Sequence, residues 1–230
     1  MKTKNKYWTL LWSVSAFFAV SCGELTDQTG DGSEFVAESM RLSRHEAYLM
    51  VGDQLQLTAE VLPENVRLGS ILWNVDDNGC LEQKSYGVVV GRAAGDSYLH
   101  ALLESNLLED RCLIHVLPRW MDLDYDERRY DMVVYARNEI NGQPLSDSQV
   151  LAAKVADEVR GVAQVREFQH ATGTISYLVI CIYSDVEEGE TVSFWLYDRA
   201  DFSLRQSSYQ VVFDGEQHGT LSDLVQITLE

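Results

Sequence analysis

Residues 49–59 read Leu-Met-Val-Gly-Asp-Gln-Leu-Gln-Leu-Thr-Ala, and their second half alternates apolar and polar side chains. In an extended strand, Leu55, Leu57 and Ala59 would point to one face and the polar residues between them to the other. The same alternation recurs in three later runs, namely Ile71, Trp73 and Val75; Leu99, Ala101 and Leu103; and Cys112, Ile114 and Val116. Short alternating runs with turns about every ten residues predict a small antiparallel β-sandwich.

The motifs around residues 49–59 also carry a family resemblance. They are followed in order by Pro63-Glu64-Asn65, Trp73, Gly87-Val88-Val89 and Ala94-Gly95. This order resembles the group 2 bacterial immunoglobulin-like domain over residues 39–117, with a departure at Asn78-Gly79-Cys80. The resemblance implies an immunoglobulin-like sandwich with Trp73 in its core. It further implies a spacer or adhesive module without catalytic apparatus.

Residues 119–230 repeat the β pattern. Met132, Val134 and Ala136 alternate with other residues, and Val192, Phe194 and Leu196 do the same. Residues 175–182 are almost wholly apolar, which predicts a strand covered on both faces. Asn141-Gly142 supplies a hairpin turn.

Residues 146–158 are ambiguous between helix and strand. Ser146 with Gln149 could form a helix capping box, and residues 151–154 favour a helix by propensity. Several segments nevertheless resemble a β-rich domain found in surface lipoproteins and secreted proteins of gut Gram-negative anaerobes: residues 130–136, 155–163, 192–198 and 219–222. That resemblance implies a hairpin around Asp157-Glu158, and we predict strands.

The N-terminus has the layout of a secretory signal. Lys2, Lys4 and Lys6 precede the 14 uncharged residues 7–20, which are too few to span a bilayer, since that takes about 20. Residues 19–22, Ala-Val-Ser-Cys, resemble a bacterial lipobox. The resemblance implies cleavage after residue 21 and acylation of Cys22, which would tie the protein to the outer membrane. The alternative is a secreted protein with a free N-terminal cysteine.

Charge limits the classes of partner. The formal net charge is −18, and removal of residues 1–21 would make it −21. Phosphate backbones require neutralising Lys and Arg, so we expect no nucleic-acid partner. The sequence has no Gly-x-Ser-x-Gly elbow, phosphate loop, dinucleotide fingerprint or histidine pair at metal-ligand spacing, so we expect no enzyme.

Cys80 and Cys112 are the cysteines of the first predicted domain. Export would permit a disulfide between them if their Cα atoms lie within about 7 Å. The alternative, which we favour, is two buried thiols that pack as small apolar side chains.

Trp195 and Tyr197 are the candidate ligand-binding residues. Phe194 and Leu196 take the inward face of their strand, so Trp195 and Tyr197 would share the outward face. An exposed aromatic pair could stack on sugar rings or anchor a protein interface. The alternative is that another sheet or the first domain covers them.

Asp122, Asp124 and Asp126 follow Pro118 at the junction of the two halves. Carboxylates at alternate positions could converge on Ca²⁺ and stiffen the junction. The alternative is a solvated acidic strand. We expect no other cofactor.

The sequence thus predicts an all-β protein with two immunoglobulin-like antiparallel sandwiches in tandem. They are residues 39–117 and 119–230, after a signal at 1–21 and an acidic flexible tether at 22–38. The expected function is non-enzymatic adhesion or presentation by a lipoprotein at the cell surface. The alternatives are glycan capture for a polysaccharide uptake system and a structural subunit that docks onto other surface proteins.

Overall fold

The computed structural model of the protein describes residues 36–64, 70–124, 128–171 and 173–229. Strands with few-residue turns make up most of these ranges. The strands of the first half are β1 (Ser39–Leu42), β2 (Glu46–Met50), β3 (Gln54–Gln56), β4 (Ala59–Leu62), β5 (Ile71–Val75), β6 (Leu81–Ser85), β7 (Val88–Gly91), β8 (Gly95–Leu103) and β9 (Leu108–Leu117).

A single 3₁₀ turn, Trp120–Asp122, lies between the halves in the described part of the chain. The strands of the second half are β10 (Tyr130–Arg137), β11 (Gln149–Val155), β12 (Glu158–Val162), β13 (Gln164–His170), β14 (Gly173–Ser184), β15 (Thr191–Asp198), β16 (Ser203–Val212) and β17 (Gln217–His218). Among the described residues, no helix has the length and apolar character needed to cross a membrane.

Strands β1–β9 form the first sandwich. One sheet has the order β2-β9-β8-β5, with β2 and β9 parallel, and the other has the order β3-β7-β6. β1 and β4 form a separate two-stranded ladder, because the chain changes sheets between Gln56 and Ala59. The predicted alternation survives this change, since Leu55, Leu57 and Val61 are all buried.

Strands β10–β17 form the second sandwich, with sheets β13-β14-β10-β17 and β12-β11-β15-β16. Apolar side chains from both sheets fill the space between them. The fully buried members include Val134 on β10, Leu151 on β11, Ile180 on β14 and Phe194 on β15. The prediction of an all-β protein built from sandwiches is confirmed.

The ambiguous residues 146–158 contain strands and no helix, as predicted. β11 and β12 pair antiparallel, with Val155 opposite Glu158, so Ala156 and Asp157 form the turn. Ala156 takes a left-handed φ of 51°. The turn predicted at Asn141-Gly142 is also present, with both residues at positive φ and Ile140 bridged to Gln143.

The prediction that residues 175–182 are covered on both faces is wrong. Leu178, Ile180 and Ile182 are buried, but Tyr177 and Val179 between them are only half-buried. β14 therefore alternates between a core face and an outer face, and its apolar outer residues lie partly open to solvent.

Candidate functional site

Tyr197 is fully buried, so the prediction of an exposed Trp195–Tyr197 pair is wrong. Both residues do lie on the outward face of β15, but the first sandwich and the linker cover that face. Trp195 is half-buried, donates its Nε1–H to Ser193 Oγ (3.0 Å) and has Lys154 Nζ 4.8 Å from its ring centroid. The alternative interpretation, in which the first domain covers this face, is therefore correct.

Tyr197 belongs to an apolar cluster that joins the two sandwiches, which we call the joint. Its buried members are Met50 from the first sandwich, Trp120 from the linker, and Ala152, Val159 and Tyr197 from the second sandwich. Trp120 is 1% exposed and meets the Tyr197 ring edge to face, with centroids 6.3 Å apart and an interplanar angle of 70°. The linker residue thus packs as a core residue.

Asp53 supplies the polar part of the joint. Tyr197 donates its hydroxyl to Asp53 Oδ2 (2.8 Å), and Arg199 Nε donates to Asp53 Oδ1 (3.0 Å). Burial raises the pKa of Tyr197, and the hydrogen bond to Asp53 raises it further. The phenol therefore stays protonated and keeps donating throughout the physiological range.

The turn before β3 holds Asp53 in position. The Asp53 amide N–H donates to the Met50 carbonyl (2.9 Å), and Gly52 between them has a φ of 93°. A side chain is strained at that angle, which is why glycine fits this position. The Gly91 amide donates to the Asp53 carbonyl (3.1 Å), so the backbone on both sides of the carboxylate is fixed.

The turn between β15 and β16 makes a second contact between the sandwiches. The Tyr48 amide donates to the Phe202 carbonyl (2.9 Å), and Phe202 packs against the core of the first sandwich. Arg44 donates to the Asp201 carbonyl (2.6 Å) and lies 5.6 Å from the Phe202 ring centroid. Polar and apolar contacts at two places therefore oppose rotation of one sandwich against the other.

The predicted calcium residues are not brought together in what the structure describes. Asp122 lies at the end of the 3₁₀ turn and pairs with Arg119 (3.3 Å), whereas Asp126 lies outside the described residues. Asp124 lines a small cleft between the linker and β12. Across the described ranges, no three His, Cys, Asp or Glu side chains are grouped so that they could hold a metal ion. Calcium binding at the junction stays a prediction.

Cys80 and Cys112 are both buried and unbonded in the core of the first sandwich. Burial raises the pKa of the Cys112 thiol to about 11, so the thiol stays protonated at neutral pH. The two residues pack as small apolar side chains, which is the alternative favoured from sequence. Cys22, the predicted lipidation site, lies outside the described residues.

Sequence reasoning missed Trp120 and Asp53. Trp120 stands two residues after Pro118, and a large apolar side chain inside a predicted linker was the available signal. Asp53 gave no signal, because its partner Tyr197 is 144 positions away in the chain.

The comparisons with known proteins give no family. No protein-family model matches the sequence, and no curated protein matches it either. Both family resemblances therefore stay predictions.

Several solved structures show partial likeness to this chain, which spans about a third of the length of the first of them. Domains 4–9 of the surface layer protein SbsC are 12% identical with a TM-score of 0.30, and the match covers 81% of this chain and 32% of that one. The SGBP-B protein of the Bacteroides ovatus mixed-linkage glucan utilization locus, solved with a heptasaccharide, is 13% identical with a TM-score of 0.25, covering 79% and 48%. The titin tandem A164–A165 is 10% identical with a TM-score of 0.23, covering 84% and 100%. Identities and TM-scores as low as these give no information about the function of this chain.

Proposed function

We propose that this chain is a non-enzymatic module of the bacterial cell envelope that presents its second sandwich in a fixed orientation for adhesion. Apolar side chains fill both cores, which suits a structural role. The lipobox-like residues 19–22 would supply the membrane attachment through acylated Cys22. The acidic segment after Cys22 would then separate the folded part from the bilayer. The predicted tether of residues 22–38 ends earlier than expected, because Ala37 is buried against Val61 and Leu103.

The joint is the observation that carries this proposal. A flexible connection would leave the outward face of β15 solvated, whereas here Met50, Trp120 and Tyr197 are at most 4% exposed. Asp53 adds hydrogen bonds to both Tyr197 and Arg199. Because buried, hydrogen-bonded contacts of this kind restrict domain motion, the two sandwiches would act mechanically as one body.

The joint also favours presentation over the glycan-capture role predicted on Trp195 and Tyr197. A sugar ring needs an open aromatic face, and the Tyr197 ring has none, since the side chain is fully buried. The role of a structural subunit differs from presentation only in what the exposed surfaces contact, and it shares the rigid joint.

Fractionation of cells that express the full chain tests the anchor. We expect the wild-type protein in the outer-membrane fraction with an acylated N-terminal Cys22 by mass spectrometry. Cys22→Ser should move it to a soluble or uncleaved form, while the matched control Ser21→Ala should stay in the membrane. Recovery of the wild type in the cytosol would contradict the proposal. Resistance of the wild type to protease added to intact cells would contradict outward display.

A further inference from the structure

The outer face of the second sandwich that the joint leaves free carries an unusual row of side chains. Tyr177 on β14 stands directly opposite Arg166 on β13 and directly opposite Arg137 on β10. Directly opposed residues in antiparallel strands share a face, so the three side chains form one row across three strands. Tyr177 also stacks on Tyr135, with ring centroids 6.0 Å apart and an interplanar angle of 24°.

The two arginines of this row lack ion pairs within the described ranges of the chain. Both are exposed, and Arg166 donates from Nη2 to Gln164 Oε1 (2.5 Å). Arg128, Arg160, Arg199 and Arg205 of the second sandwich are paired with carboxylates, as Arg128 is with Asp185 (2.9 Å). In a chain with 36 acidic and 18 basic residues, two unpaired arginines on either side of a tyrosine form a local cationic site.

A cleft of about 500 Å³ begins where the row ends, and its lining includes Arg137, Asn138, Ile175, Ser176 and Leu221. Glu139 also lines the cleft and is its one acidic residue among those described, so the positive charge lies at the row rather than deep in the cleft. Asn138 donates an amide N–H to Ser176 Oγ (2.9 Å), while its Oδ1 is buried without a partner in the described structure. Ile175 and Leu221 are 38% and 36% exposed. The cleft thus places hydrogen-bonding groups beside apolar ones, next to the cationic row.

We propose that the row Arg166–Tyr177–Arg137 and the adjoining cleft bind an acidic oligosaccharide, one whose sugar rings carry carboxylate or sulfate groups. A sugar ring presents a C–H face to an aromatic ring and keeps its substituents at its rim. An acidic group at that rim is then directed along the sheet toward an arginine, which binds carboxylate or sulfate through a fork of N–H donors.

The charge of the whole chain selects for a sparsely charged ligand. At physiological ionic strength the screening length is about 8 Å, so the distant acidic residues of the chain have little effect on the potential at the row. A nucleic acid carries a phosphate at every nucleotide and would extend into the acidic surroundings of a chain of net charge −18. An acidic oligosaccharide spaces its charges one or more sugar rings apart, which two arginines can match.

Titration of the folded protein with matched saccharides tests this proposal. The probes are an array of uronate and sulfated oligosaccharides, with tetragalacturonate and its fully methyl-esterified form as the matched pair for calorimetry. We expect the acid form to bind and the ester, which has the same rings without the charges, to bind at least about tenfold more weakly. Binding should weaken with added salt, and NMR titration should shift the resonances of the Tyr177 ring.

Variants assign the binding to the row. Arg137→Gln and Arg166→Gln should each weaken binding about ten- to a hundredfold without changing the melting temperature, because both side chains are exposed. Arg41→Gln removes the same charge from the exposed surface of the first sandwich and should leave binding unchanged. The proposal is overturned if no acidic saccharide binds at millimolar concentration or the ester binds equally well. It is also overturned if both row variants keep wild-type affinity or a thymidine oligonucleotide binds more tightly than the saccharides.

Discussion

At the residue scale, Asp53 determines how the two sandwiches meet. It receives hydrogen bonds from Tyr197 and Arg199 and lies on a turn fixed by Gly52 and Gly91. Its side chain is 14% exposed, so solvent cannot fully replace a lost partner. Removal of the Tyr197 hydroxyl should therefore lower the free energy of unfolding more than removal of an exposed hydroxyl.

We predict that Tyr197→Phe lowers the free energy of unfolding by about 1–2 kcal/mol, because it leaves one oxygen of the partly buried Asp53 without its donor. The matched control is Tyr86→Phe, since Tyr86 is 81% exposed, and it should change stability by less than about 0.5 kcal/mol. Urea denaturation measures both. Equal effects of the two substitutions would show that the hydrogen bond contributes nothing.

Asp76 makes the first sandwich sensitive to acid. The Tyr98 amide N–H donates to Asp76 Oδ2 (2.9 Å), and His100 Nε2 lies 3.0 Å from Oδ1, which together lower the pKa of Asp76. A carboxyl with a lowered folded pKa stabilises the fold above its unfolded pKa of about 3.9. That stabilisation is lost as the pH falls through the folded pKa.

Asp76→Asn should therefore flatten the acid side of the stability profile. We expect the urea midpoint of the wild type to fall below about pH 4, and the variant, whose amide does not titrate, to fall less over the same window. Asp77→Asn removes the same charge without touching the contacts to Tyr98 and His100, and should follow the wild type. Identical profiles for all three proteins would contradict the role given to Asp76.

At the element scale, Gly161 lets β12 lie against β14. A Cβ at this position would be 2.0 Å from the Cys181 carbonyl oxygen and 3.3 Å from the Ile182 Cα, and both are backbone atoms that cannot move alone. Any side chain here must therefore separate the two strands. Glycine is therefore required at position 161 because the neighbouring backbone leaves no room for a side chain, and not because of a turn.

We predict that Gly161→Ala destabilises the protein by more than about 2 kcal/mol, through the forced separation of β12 from β14. Ala156→Gly in the same hairpin is the matched opposite change. It relieves the left-handed φ of 51° and should raise stability by about 0.5–1 kcal/mol. Thermal and urea unfolding of both variants would test this; a neutral Gly161→Ala would show that the strands can move apart freely.

At the scale of the whole molecule, the joint couples two sandwiches that share no sheet within the described residues. The described residues of both sandwiches nonetheless form one compact unit. Trp120 lies in the apolar cluster that contains buried residues of both sandwiches, and its ring packs edge to face on Tyr197. Cooperative unfolding should depend on Trp120.

We predict that Trp120→Ala lowers stability by about 3–5 kcal/mol and separates unfolding into two calorimetric transitions. Leu107→Ala is the control, since Leu107 is 73% exposed on the first sandwich, and it should keep the wild-type transition. A single transition for Trp120→Ala, shifted no further than in the control, would remove the basis for a rigid joint.

Much of the fold could be predicted from the sequence alone. Alternation in residues 54–61, 99–103 and 192–196 follows from burial on one face of a strand, and that local pattern predicted the sandwiches and the buried residues. The same pattern predicted that Trp195 and Tyr197 point away from the core. It contained no information on what lies beyond that face.

Only the tertiary structure decided that Tyr197 is buried and that Arg137, Tyr177 and Arg166 form one row. Both outcomes depend on strands or domains far apart in the chain, and local periodicity specifies the face of a side chain but not its neighbour. Tyr197 meets Asp53 across 144 positions. The strand itself determines the face to which a side chain points. Whether that face is buried depends on which other parts of the folded molecule pack against it.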